Sequence, residues 1–201
     1  MSKIERAILS CYDKTGVVEF ARLLREFGVE IISTSGTLSV LHEAGIEAVS
    51  IADFTGVPEL MNGRVKSLHP KVHAGLLGIR DRKLHVEHMQ EYGMEWIDMV
   101  VANPLPLGEL VRRKAEAEEE IIHQIDIGGT AMIRSAAKNY RYVTVVVNPE
   151  RYPQIRHELK AHEGEVSFAM RRKLAEEAFR LTSAYDMTIS EYLRDTGPAE
   201  D

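Results

Sequence analysis

The feature that most constrains this chain is a grammar spoken twice within its first 47 residues. The run Ala7-Ile8-Leu9-Ser10-Cys11-Tyr12 reads as a buried strand. It ends in the polar turn Asp13-Lys14-Thr15-Gly16, and Val17, Phe20, Leu23, Leu24 and Phe27 then recur at helical spacing before Gly28. The pattern repeats as Val29-Glu30-Ile31-Ile32, the loop Ser33-Thr34-Ser35-Gly36-Thr37, a helix through Leu38, Leu41 and Ala44, and Gly45. Successive strand-helix units make neighbouring strands parallel, because the helix must carry the chain back before the next strand can start.

Further apolar segments at 48–51, 97–102 and 142–147 extend the sheet. Helical patterns cover 83–92, 131–138, 149–162 and 166–194, with a short helix at Pro58-Glu59-Leu60-Met61. The charged run at 112–120 reads as a solvated helix face. A chain of 201 residues, 44% of them hydrophobic, can bury one core. The expected organisation is a single domain over 1–195 with a frayed tail at 196–201. The fold class is α/β, an open, mostly parallel sheet flanked by helices in three layers. Ligands of such sheets bind at the carboxyl ends of the strands, the edge that holds residues 10–16, 33–37 and Asn103.

The chemistry concentrates in Gly63-Arg64-Val65-Lys66-Ser67-Leu68-His69-Pro70-Lys71-Val72-His73. Five potential cations surround one hydroxyl in a chain whose formal charge is −6, which points to an anion site. Crowded cations disfavour one another's protonation, which would suit Lys66 to proton transfer. His69 precedes Pro70 and is biased toward an extended conformation, so the stretch is expected to be a loop. The two Ser- and Thr-rich loops, and Gly128-Gly129-Thr130, each offer backbone N–H groups at a helix N-terminus, where the dipole favours phosphate. No Walker A or G-x-G-x-x-G pattern occurs, so a monophosphate is favoured over a triphosphate or dinucleotide.

Plainer readings exist for several of these residues. Ser, Thr and Asp126 can simply cap helices, and Lys138-Asn139 can close one. His69 and His73 are spaced like metal ligands but lack a nearby carboxylate, so no metal is expected. The single cysteine, Cys11, cannot form an internal disulfide and reads as a packed side chain. The acidic balance argues against nucleic-acid and membrane-surface partners. With no signal-peptide core and no membrane-length apolar run, a cytoplasmic protein is expected.

Taken together, Tyr12-Asp13-Lys14-Thr15-Gly16, Ile32-Ser33-Thr34-Ser35-Gly36-Thr37, the long basic stretch, Ile125-Asp126-Ile127-Gly128-Gly129 and Ala136-Ala137-Lys138-Asn139 resemble the IMP cyclohydrolase domain of the bifunctional AICAR transformylase/IMP cyclohydrolase family. The resemblance implies a methylglyoxal-synthase-like fold and the dehydrative closure of 5-formamidoimidazole-4-carboxamide ribotide (FAICAR) to IMP, without metal or dissociable cofactor. It implies Lys66, Asp126 and Lys138 as catalytic residues. Lys14, Thr34, Ser35, Gly36 and Thr37 would hold phosphate and ribose, with Tyr12, Asp13 and Thr15 beside them. Arg64, Val65, Ser67, His69, Ala102, Asn103, Ile127, Gly128 and Gly129 would complete the substrate site. A separate formyltransferase would act upstream, and a homodimer is compatible with the reading.

The chain departs from the family where Asn103-Pro104-Leu105-Pro106-Leu107 replaces a usual Asn-Leu-Tyr-Pro-Phe, so an active-site tyrosine is missing. Ser35 stands for a glycine and Ser67 for a threonine. Two rival readings share the fold. One is a noncatalytic nucleotide-binding regulatory domain like that of carbamoyl phosphate synthetase. The other is a methylglyoxal synthase, although the Gly-Gly-Asp-Gln stretch of that family is absent.

Overall fold

The protein, seen in a computed structural model, is described for residues 3–108, 111 and 118–196. The charged run's residues 112–117 and the tail at 197–201 lie outside the described residues. All five expected strands form. They are β1 (Arg6–Cys11), β2 (Glu30–Ser33), β3 (Val49–Ser50), β4 (Met99–Asn103) and β5 (Thr144–Val146), in one parallel sheet of order β3-β2-β1-β4-β5. β1 lies at the centre because both its faces are apolar: Ala7, Ile8 and Leu9 are fully buried. Helices cover both faces, giving three layers.

The repeated grammar becomes a repeated geometry. Helix α1 (Val17–Glu26) buries Val17, Phe20, Leu23 and Leu24, and Phe20 stacks on Tyr152 with ring centroids 4.3 Å apart. It ends at Gly28 (φ 78°), where Val29 N–H reaches back to the Leu24 carbonyl. Helix α2 (Ser35–Glu43) ends the same way at Gly45, with Ile46 N–H bound to the Leu41 carbonyl. In each case a left-handed glycine lets the chain double back and satisfy carbonyls that the helix end leaves open.

Three boundaries differ from expectation. No helix forms at residues 58–61; the short helix is α3 (Ile51–Thr55), directly after β3. Ser50 caps it by accepting from Asp53 N–H at 2.9 Å, and Gly56 (φ 77°) stops it. The chain then folds as a tight hairpin, Leu60 bridging Val65 antiparallel, with Met61, Asn62 and Gly63 all at positive φ. The basic stretch is a loop only as far as His69. Pro70 opens helix α4 (Pro70–Leu77), since a proline at the first helical position lacks only an N–H that has no intrahelical partner anyway. His69 is extended, as its place before proline requires, and its Nδ1 accepts from Lys71 N–H at 3.2 Å.

Helices α5 (Lys83–Glu91) and α6 (Glu118–His123) precede α7 (Gly128–Lys138), which starts at the glycine pair rather than at Ala131. A short 3₁₀ turn (Pro149–Arg151) leads into α8 (Tyr152–Ala161). The final α9 (Phe168–Thr196) is one continuous helix of 29 residues. Its first half packs on the main core, while its second half covers a small cluster of Leu107, Ile121 and Tyr185. Among the described residues no helix is long and apolar enough to cross a membrane.

At the opposite edge of the sheet from the strand carboxyl ends, Asp98 is 5% exposed and fully engaged. One carboxylate oxygen accepts N–H groups of Glu5 and Arg6 at 2.8 Å each, and the other pairs with Arg80 at 2.6 Å. This ties the entry of β1 to that of β4.

Candidate active site

A cavity of about 580 Å³ opens at the carboxyl ends of β1 and β2, between the 60–65 hairpin and the entry to α7. Its floor carries Ser10 and Thr34, whose hydroxyls are 2.9 Å apart. One wall holds Arg64, Lys66 and Ser67, and the other holds Asp126, Ile127, Gly128 and Gly129. Segments about 30, 60 and 120 residues into the chain thus meet because the parallel sheet delivers their loops to one edge.

Close approach explains the glycine pair. A Cβ on Gly128 would sit 2.5 Å from Ser67 Oγ, and one on Gly129 would sit 2.2 Å from an Asp126 carboxylate oxygen. Asp126 is held from three directions. Its carboxylate accepts Gly129 N–H at 2.7 Å, its carbonyl accepts the Thr130 hydroxyl at 2.7 Å, and its N–H donates to the Tyr185 hydroxyl at 2.9 Å. It therefore caps α7 and also presents a carboxylate to the cavity; the two readings coexist.

Two of the cations have partners of their own. Arg64 reaches His123 Nδ1 at 3.2 Å across the cavity mouth, while Lys66 lies 3.8 Å from a carboxylate oxygen of Glu59. Glu59 also accepts the hydroxyl of Ser35 at the start of α2. Ser35 and Gly36 are exposed beside the cavity. Val65 is the bridged residue that holds Lys66 in place, and His69 acts at the start of α4.

Other expected site residues lie elsewhere. Lys138 is exposed at the last position of α7, whose first residues form the cavity wall. Ten residues of helix put the two ends about 15 Å apart, so Lys138 does not reach this chain's cavity. Thr37 is 2% exposed, and its hydroxyl accepts from Cys11 N–H and donates to the Cys11 carbonyl, which makes it a clamp on β1. Asn103 is spent similarly: its amide accepts from Asp13 N–H at 2.7 Å and donates to the Asp13 carbonyl at 3.2 Å. Ala102 is buried within β4. Tyr12 and Asp13 face a neighbouring cavity of about 740 Å³ shared with Asn103, Asn148 and Arg180. The Lys14 ammonium donates to the Tyr12 carbonyl. Thr15, through its hydroxyl and N–H, holds the Asp13 carboxyl below its usual range.

The remaining candidates are structural. Burial pushes the Cys11 thiol up to about 11. His73 faces Ser135 on α7 at 3.0 Å, and burial pulls its imidazole below the usual range. Glu59, Asn62 and His123 escaped the sequence reading. Asn62-Gly63 between apolar Leu60 and Val65 is a hairpin signal that would have set Glu59 opposite Lys66. Nothing in the sequence marks His123.

Comparison with known proteins places these residues in a family. The model of the MGS-like domain matches residues 16–131, and that of the AICARFT/IMPCHase bienzyme matches residues 136–201. The bifunctional purine biosynthesis protein PurH of Magnetococcus marinus is 48% identical over 193 residues, and that of Persephonella marina 50% identical over 190. These alignments cover 96% and 94% of this chain but 36% of each relative, so the chain spans little more than a third of the length of the curated relatives it matches. A solved structure described as that of ForH is 34% identical and superposes with a TM-score of 0.83, covering 94% of this chain and 98% of that one. The chain belongs to the MGS-like domain family, and its last third matches the AICARFT/IMPCHase bienzyme.

Proposed function

We propose that this chain closes FAICAR to IMP with loss of water. The observation that carries the reading is the single cavity that sets Lys66 and Ser67 against Asp126 and the glycine-rich start of α7, beside the Ser10 and Thr34 hydroxyls. PurH relatives near 50% identity across almost the whole chain support it.

The reaction joins the carboxamide nitrogen to the formyl carbon. One proton leaves the carboxamide nitrogen and one leaves the formamido nitrogen, and both depart with the formyl oxygen as water. An amide nitrogen is a weak nucleophile, so holding it against the formyl carbon supplies much of the acceleration. Asp126 is held rigidly enough to accept an amide N–H and orient it. The Lys66 ammonium would stabilise negative charge as it develops on the formyl oxygen. Arg64 and Ser67 would fix the base, and the exposed start of α2 at Ser35 and Gly36 would receive the phosphate. The part given to Lys138 by resemblance is not carried forward, because that side chain lies at the far end of α7. A formyltransferase acting on the unformylated ribotide would supply the substrate.

Incubating the purified chain with FAICAR and following IMP absorbance tests the reading. Turnover above the uncatalysed rate supports it. IMP binding without turnover would favour the noncatalytic nucleotide-binding alternative, to which the leucine at position 105 gives specific support.

A further inference from the structure

A carboxylate stands where the proposed site would take an anion. The Glu59 carboxylate accepts the Ser35 hydroxyl in the first turn of α2 and lies 3.8 Å from Lys66 Nζ. Its second oxygen is 3.2 Å from the point a Cβ on Gly63 would occupy, so the group rests against the hairpin turn. The hairpin builds this placement, since Glu59 and Lys66 flank the bridged pair Leu60 and Val65 and so oppose each other across it. Thr34 gives α2 no side-chain cap, its hydroxyl being turned toward Ser10. The Glu59 carboxylate therefore supplies the negative charge that the start of α2 favours.

We propose that Glu59 is a resident counter-ion that the phosphate of a nucleoside monophosphate must displace to reach Ser35 at the start of α2, releasing the Lys66 ammonium as it does so, and that it sets how tightly the site holds phosphorylated ligands. This rests on reading the cavity as a nucleotide site. A carboxylate tethered beside its partners competes as though at high concentration. A phosphate wins because it brings more charge and more acceptor oxygens to the same hydroxyl and helix end. As the product's phosphate leaves, Glu59 returns, which keeps release from becoming slow. Glu59 touches no reacting atom; it sets affinity at the phosphate end of the site by competing there.

Lys66 and Glu59 are 32% and 36% exposed, so solvent screens the pair and the competition is modest. Calorimetric titration of wild type and Glu59→Gln with inorganic phosphate, IMP and inosine measures it. Glutamine keeps an acceptor for Ser35 and so preserves the hairpin. Glu59→Gln should bind phosphate and IMP about fivefold more tightly, with inosine unchanged. Adding Ser35→Ala should remove most of that gain, and in steady-state turnover Glu59→Gln alone should show KM and kcat falling together. Unchanged or weaker phosphate affinity in Glu59→Gln and in Glu59→Ala, with thermal midpoints retained, would overturn the proposal. Failure of phosphate to bind either protein would overturn it as well. Tightened phosphate binding in a chain that does not close FAICAR would sink the ring-closing reading and leave the counter-ion standing.

Discussion

Lys66 is placed by its neighbours on a bridged hairpin and lines the same cavity as Asp126. If it stabilises charge that exists only in the transition state, Lys66→Ala should lower kcat by about 10²-fold or more while IMP affinity changes only a few-fold. Equal losses in both, measured by turnover and by titration, would contradict that role. Gly129 makes a second test. Its Cβ would collide with the Asp126 carboxylate that its own N–H donates to. Gly129→Ala must therefore rotate that carboxylate away, remove the cap of α7 at roughly 1 kcal/mol in a urea melt, and lose most turnover. At this scale the sequence was only partly legible. In the sequence Gly128-Gly129 reads as a pair of N–H groups open to an anion, yet the packing reason for each glycine lies in Ser67 and Asp126, one of them 61 residues away. Thr37 and Asn103 look like ligand-binding residues in the sequence because a free polar group and a spent one are written alike.

The elements were readable wherever a local rule governed them. Both βα units ended at the glycines that a left-handed residue requires, and all five strands appeared. The misreadings fell where two local signals competed. Pro58 suggested a helix start, whereas Ser50 and Asp53 had already started one, and Asn62-Gly63 demanded a hairpin. Pro70 suggested a loop because it restricts the residue before it, while its own place at a helix start went unused. The lone acid in the apolar run at 97–102 gave no sign of its load either. Asp98 satisfies two backbone N–H groups and Arg80 in a nearly dry setting. Asp98→Ala leaves both N–H groups without a partner and Arg80 without its carboxylate, and should destabilise the fold by about 3–5 kcal/mol, read from the midpoint of denaturant unfolding.

Across the whole molecule, β1 supplies the centre of the sheet, the floor of the cavity and the buried thiol of Cys11. Burial disfavours the Cys11 thiolate, raising its pKa from 9.0 in the unfolded chain to about 11 in the fold. The sign follows directly: the contribution to stability is complete below pH 9 and is lost as pH climbs toward 11, because the unfolded chain ionises first. The melting temperature should fall over that window, and Cys11→Ala should flatten part of the fall. The fold was legible because helix and strand periods are local properties of the chain. The site was legible only by halves because its walls come from distant segments that the topology alone unites. Tyr185 makes the same point from the other end of the chain. It lies in the outer half of α9, and its hydroxyl receives the N–H of Asp126, 59 residues earlier. A single protease nick just before it would silence turnover while leaving the circular dichroism of the sheet almost untouched.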